Sequence, residues 1–547
     1  MRMGFLAVVA ALAAPLTTLA ADPPVVFQTA PVSRILDDVR AIAKLAGGEN
    51  SVKEINEAIK GKLGDKGFDG LDLERPILGY VVINAKIEDS VAVIAIPVTT
   101  EKEFLGLFER FSNKKLEPIE KGLYEFKIPE PGDIPLKILV RFESQHAYVG
   151  IGLDPKTALS SQSLVQPSKL FDPSDKALAS LKVHFDRLPK EIREVMSNGL
   201  KELKNKIAAL PLPPEASEPA RKAMDEMIKL GTRYSDLLQD AKTATARVIL
   251  DVNSGEAAIE LALAGNPGSA LAKSIAERKP STNKFAGLVT KDTVAGLKLQ
   301  LPLFAKEIQN AAVIGLEAGQ TQLKNKLPQT SHGAIDEAAK GLIRTVKDGE
   351  FDLTLALRGP DKEGRYTAVG AVAFEDPTAL EAELRILYKN ELPAMFKSFF
   401  NLDVAKVGKT NIHQVKLGGL LPQEVQKVFG DEASLTFALA PHGIFFAFGP
   451  DAIDTLKTAL EVKKTQSPVF EIVINPKRLK NLLQLAGVDI PSENFGTKDM
   501  LLSPWSVSIE GGKELRLKFG TNLKGFEGLG GLGFVPAKKE FKQEFKK

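Results

Sequence analysis

Part of this chain recurs within it, and an internal repeat narrows the choice of fold more than composition does, because each copy must form the same local structure. Lys190-Glu191-Ile192, followed by Leu203-Lys204-Asn205-Lys206-Ile207, returns as Lys306-Glu307-Ile308, followed by Leu323-Lys324-Asn325-Lys326-Leu327. Each block has apolar residues at helical spacing and follows a strand-like run. Longer correspondences join the two ends of the chain. Residues 92–98 with Phe104-Leu105 match 368–374 with Ala379-Leu380, and residues 138–152 match 435–449. Residues 181–185 before Leu188-Pro189 match 470–474 before Asn475-Pro476.

The pattern predicts an N-terminal helical segment over 22–69 and a first module over 70–243. A shortened middle module follows over 244–348, then a third over 349–523. Strand-like runs are short and joined by polar turns, which favours antiparallel pairing. Asn253-Ser254-Gly255 and Gly511-Gly512 mark two hairpins, and Trp505 to Gly520 forms a closing one. Helical periodicity over 188–207 and 216–241, interrupted at Leu210-Pro211-Leu212-Pro213-Pro214, predicts an αα-hairpin. A second pair of helices is expected over 304–327 and 333–346. Thr100 is the expected N-cap of a helix carrying Phe104, Leu107, Phe108 and Phe111. Asp154-Pro155 predicts a short helix, and Phe285 to Val289 a strand. The fold class is α+β: antiparallel sheets of repeated hairpins, long amphipathic helices and an internal module duplication.

Residues 1–21 read as a signal peptide, with Arg2 in the n-region, an apolar stretch from Phe5 to Leu12, and Ala20-Ala21 before Asp22. The apolar stretch is shorter than the roughly 20 residues a membrane span needs. The expectation is an exported protein, periplasmic or extracellular, with no transmembrane helix in the mature chain. Of the 547 residues, 72 are Lys or Arg and 69 Asp or Glu, a net charge of +3. That balance argues against a nucleic-acid partner, which calls for a concentrated basic field. The absence of cysteine removes disulfides, thiolate metal sites and cysteine nucleophiles. Residues 524–547 form a glycine-rich linker and a basic tail. Lys538, Lys539, Lys542, Lys546 and Lys547 of the tail offer a weak surface contact.

The five histidines are His146, His184, His332, His413 and His442, and none pairs with another at helical metal-binding spacing. His146 and His442 fall in corresponding hairpin turns and are the two candidates for a binding role. A polar turn also tolerates histidine without any function. There is no Gly-x-Ser-x-Gly elbow or His-Glu-x-x-His pair. The Gly-x-Gly-Gly-x-Gly run from Gly528 to Gly533 opens no strand–helix unit, so it reads as a linker. No catalytic residue, cofactor or metal ligand is assigned. The expectation is a non-enzymatic binding or structural protein of the cell envelope. Two alternatives are a carrier holding a lipid or other apolar ligand between sheet and helices, and a hydrolase with an unrecognised site.

In its order of hairpin, helix, strand pair, helix and strand-Pro-helix, carried by residues 92–105, 138–159 and their later equivalents, the chain resembles large exported bacterial proteins of planctomycete type. The resemblance implies export and a duplicated α+β plan, and carries no activity with it.

Overall fold

The structure is a computed structural model that describes residues 22–127, 136–210, 217–300, 306–349, 351–391, 397–486 and 504–523. The stretch read as a signal peptide, 1–21, the stretch read as a linker and tail, 524–547, and part of the proline-rich stop after Leu210 lie outside the described residues. The chain divides into two compact units, Met1–Arg40 with Val52–Glu194, and Ala41–Ser51 with Val195–Lys547. Both mix helices with antiparallel strands, as an α+β reading requires.

The first unit is built from β1 (Val25–Pro31), α1 (Val32–Leu63, apart from Ala41–Ser51), β2 (Pro76–Val82), β3 (Val91–Pro97), α2 (Glu101–Ser112), β4 (Glu117–Glu120), β5 (Leu123–Phe126), β6 (Lys137–Glu143), β7 (His146–Gly152), α3 (Pro167–Leu170) and β8 (Ala179–His184). Its strands pair antiparallel in the order β8-β1-β2-β3-β7-β6-β5-β4. β1 lies inside the run although it sits in a segment read as helical. The helix does follow, and it bends where Gly48 takes φ 69°. Asp154-Pro155 begins turns rather than a helix, and the short helix comes later, at α3.

The second unit holds α4 (Lys190–Ala208), α5 (Glu218–Leu238), β9 (Ala241–Asp251), β10 (Glu256–Gly265), α6 (Ala270–Glu277), β11 (Ser281–Asn283), β12 (Thr293–Gln300), α7 (Lys306–Lys326), α8 (His332–Asp348), β13 (Asp352–Arg358) and β14 (Thr367–Ala373). Then come α9 (Pro377–Ile386), β15 (Phe400–Val407), β16 (Thr410–Lys416), α10 (Gln423–Phe429), β17 (Ser434–Ala440), β18 (Gly443–Gly449), α11 (Ala452–Leu460), β19 (Thr465–Ser467), β20 (Phe470–Ile474), α12 (Pro476–Leu485), β21 (Trp505–Glu510) and β22 (Leu515–Asn522). The expected strand at Phe285 is a single 3-10 turn, Ala286–Leu288, because the Asn283 side chain accepts the Phe285 N–H (2.8 Å) and curls the backbone.

Twelve strands of this unit pair antiparallel in the order β9-β10-β22-β21-β20-β12-β13-β14-β18-β17-β16-β15. The last eight, from β20 to β15, follow the connectivity of the first unit's run. In both, the chain leaves the second strand of the run, passes through helix, and returns to the third. The Lys-Glu-Ile blocks open α4 and α7, which follow β8 and β12. Those strands hold different places in the shared order, so the short repeat and the strand order are separate regularities.

The helices of the second unit are tied side to side. Ser235 of α5 donates to the Leu200 carbonyl of α4 (2.8 Å), and Lys204 holds Asp236 (2.7 Å). Arg233 reaches Glu307 of α7 (3.1 Å), and Lys324 of α7 grips Asp336 of α8 (2.7 Å). The expected αα-hairpins are therefore present. Among the described residues, no helix is long and apolar enough to cross a membrane.

Candidate functional site: an apolar sheet face and the ionic cluster at its end

An antiparallel sheet with one face on the core and one toward water alternates apolar with polar residues. Here several strands carry apolar residues on their part-exposed side. In β18, Gly443, Phe445, Ala447 and Gly449 are buried, while Ile444, Phe446 and Phe448 between them are part-exposed. β13 carries Leu353, Leu355 and Leu357 on its part-exposed side although Asp352 and Thr354 lie buried on the other, and β3 carries Ala92, Ile94 and Ile96 there.

Cross-strand partners lie on the same face, so the pairing registers trace rows across the sheet. In the second unit one row passes from Val248 through Ile259, Phe519, Val507 and Ile472 to Leu297. It continues through Leu355, Gly370, Phe446 and Phe437 and ends at His413. His413 is the one polar side chain in a row eleven strands wide. The neighbouring row, Leu261 to Leu517, Ile509, Phe470, Leu299 and Leu353, is apolar as well. Gly370 leaves the space that the Phe446 ring and Leu355 fill, since a Cβ there would overlap both.

Helices cover this face at its margins. α5 and α6 pack Leu237, Leu271 and Ile275 on Leu263 and Leu515. α8 and α9 place Leu342, Leu380 and Leu384 over Phe437, Leu439 and Ile444. Between them the face is part-exposed, and Ile259 (55%), Leu261 (46%), Phe519 (46%) and Val248 (45%) are its most exposed members. The opposite face differs. Arg247, Glu260, Lys518, Glu471 and Lys298 form a charged ladder on one half, with Arg247–Glu260 and Lys298–Glu471 both at 2.7 Å. Its other half is a close-packed core of Ala371, Ala438, Ala447 and Phe445 against Leu456 of α11.

The first unit has a corresponding face. Leu181, Phe27, Gly79, Ile94, Val149 and Val140 form a row that runs on to Tyr124 and Pro118. α2 covers the Tyr124 end through Phe104 and Phe108. Tyr124 occupies the place in its run that His413 has in the other. Its hydroxyl donates to Glu101 at the start of α2 (2.5 Å), which raises the phenol's pKa.

His413 sits in an ionic cluster. Asp403, in β15, has a left-handed backbone (φ 57°) at an irregularity in the β15–β16 register. Its backbone N–H donates to His413 Nδ1 (3.2 Å). Arg385 of α9 donates through both terminal nitrogens to the Asp403 carboxylate (2.7 and 2.9 Å) and through Nη2 to Glu381 (2.6 Å). These contacts, to Asp403 first and Glu381 second, hold the guanidinium's pKa above its ordinary value and lower that of Asp403. The imidazole is 2% exposed and rests on the Phe437 ring, 5.2 Å between centroids. Burial lowers its pKa against the opposing pull of Asp403 and Glu381.

Glu381, Asp403 and His413 lie close enough to be examined as metal ligands. The donor set does not fit one. Arg385 already supplies the cation between the carboxylates. Since Nδ1 accepts an N–H, the neutral ring carries its proton on Nε2, leaving neither nitrogen a free lone pair. Reading the sequence by histidine spacing missed this cluster, because the fold alone joins residues 381, 403 and 413. The i,i+4 pair Glu381–Arg385 was the one local signal.

The two histidines singled out by their turns occupy unlike places. His146 begins β7 and pairs with Glu143 across the turn, 7% exposed. Its Nδ1 donates to the Ser144 carbonyl (2.9 Å), and burial lowers its pKa. It lies against Tyr148, whose pKa burial raises to about 12. His442 is exposed in the β17–β18 turn and lines a cavity of about 280 Å³ with Lys284, Thr345, Asp348, Glu375 and Asp376. The Thr345 hydroxyl there donates to the Gly341 carbonyl (2.8 Å) and accepts the Glu375 N–H (3.1 Å), so it is already engaged. In strand register His146 corresponds to Gly443, one residue beyond His442. No family model, curated protein or solved structure matches the chain.

Proposed function

We propose that this chain is an exported, non-enzymatic binding protein of the cell envelope, and that it carries an apolar ligand, such as the alkyl chain of a lipid, on the part-exposed faces of its sheets. The supporting observation is the row from Val248 to Phe437, apolar throughout and most exposed at Ile259 and Phe519. Leaving such a surface in water forgoes about 25 cal/mol for every Å² that a ligand would cover. The backbone groups of a sheet point along its plane and are paired there, so its face offers side chains only. An alkyl chain has no polar group to satisfy and suits such a surface.

The test is binding of 1-N-phenylnaphthylamine, followed by fluorescence, to the full chain and to the double variant I259E/F519E. Both positions are exposed, so the variant is expected to keep its Tm within a few degrees while affinity falls at least tenfold. Equal affinity in both proteins would refute the reading. Export is checked separately by fractionating cells that express the full chain.

A further inference from the structure

We propose that His413, Asp403, Arg385 and Glu381 form an acid-sensitive latch that holds α9 and the β15 bulge over the Phe437 end of the apolar face, and that protonation of His413 opens it. The proposal rests on the apolar-ligand reading for its consequence and on the cluster's geometry for its mechanism. Asp403 is a non-glycine residue in the left-handed region, a conformation that persists only where surrounding contacts impose it. Two contacts do so: the N–H bond to His413 Nδ1, and the paired grip of Arg385 on its carboxylate.

A proton added to Nδ1 places two donors face to face, so the backbone contact is lost. The charged ring then meets groups from each element packed on it. Glu381 lies 3.7 Å from Nε2, and Asp403 lies 3.8 Å from Nδ1. Both carboxylates are already committed to Arg385, and the new cation on the buried ring competes with that guanidinium. Lys406, further along β15, adds positive charge that also acts on Asp403. The arrangement that satisfies Asp403, Arg385 and a neutral ring together does not satisfy a charged one. Releasing α9 withdraws Leu380 and Leu384 from Phe437, Leu439 and Ile444, which lengthens the open face.

Hydrogen exchange over residues 400–407 of the full chain, at pH 7.5 and pH 5.0 and corrected for intrinsic rate, tests the latch. The wild type is expected to open at least tenfold more at pH 5.0. H413Q, whose amide oxygen accepts the same N–H without titrating, is expected to change less than twofold. Phenylnaphthylamine affinity should rise severalfold at pH 5.0 in the wild type alone. Equal exchange at both pH values, or the same acid response in H413Q, overturns the latch. Raised exchange with unchanged affinity, in a protein that binds the probe, overturns its link to the face. If the probe binds at neither pH, the apolar-ligand reading fails, and the exchange comparison still decides the latch. Should H413Q not fold, the ring ¹⁵N shifts of the wild type decide. Protonated Nε2 with bare Nδ1 at pH 7.5 and both protonated at pH 5.0 supports the latch, and a ring unchanged across that range refutes it.

Discussion

At Thr100 four consecutive residues set the start of α2. The hydroxyl accepts the Glu103 N–H (3.2 Å) and donates to the Glu103 carboxylate (2.8 Å), an N-cap whose second bond lowers the Glu103 pKa. T100A is expected to lose about 1 kcal/mol, measured by urea unfolding. That signal was readable in advance because all its partners lie within one turn. His413 is the contrary case, since its neighbours come from α9 and β15. Its burial also has a sign. The folded state disfavours the charged ring, whereas the unfolded chain takes up the proton near the ordinary value of 6.5. The unfolded state therefore binds more protons below that value. Stability is full above pH 6.5, falls as pH drops through it, and levels off below the depressed folded pKa. His146 contributes in the same direction in its own unit. Urea unfolding from pH 7.5 to 5.0 should show this fall, with a shallower slope in H413Q.

At the scale of elements, hairpins such as β6–β7 and β17–β18 were legible, because apolar runs of strand length flank short polar turns. β1 was not. Its seven residues run straight into α1, and their place between β2 and β8 depends on partners about fifty and one hundred and fifty positions away. The 3-10 turn after Asn283 was read as a strand because short apolar runs do not distinguish the two, and one side-chain hydrogen bond decided it. Packing on the apolar face makes its own prediction. Gly370 sits where Leu355 and Phe446 meet. G370V is expected to cost about 1–3 kcal/mol by overpacking, seen as a lower urea midpoint with an unchanged m-value.

For the whole molecule, the matched stretches of the sequence fall on β3, β6, β7 and β8 and on β14, β17, β18 and β20, which hold the same places in their two runs, while the Lys-Glu-Ile repeat pointed to helices that follow different strands. The paired histidine turns suggested a site, yet the structure gives His146 a buried place and His442 an exposed one. What could not be read from one sequence is that an apolar face of the strands stays part-exposed, because burial depends on what packs above each strand. If that face takes a ligand, binding must stabilise the fold. A probe held at one hundred times its Kd adds about 2.7 kcal/mol per site, read as a rise in Tm.

The most direct test is photo-crosslinking of the full chain with a diazirine-bearing fatty acid below its micellar concentration, mapped by peptide mass spectrometry. Labels should concentrate in β10 and β22, around Ile259 and Phe519, and should be displaced by unlabelled fatty acid. Labels spread over the outer surfaces of the helices, or none displaced by competitor, would contradict an apolar-ligand site on the sheet.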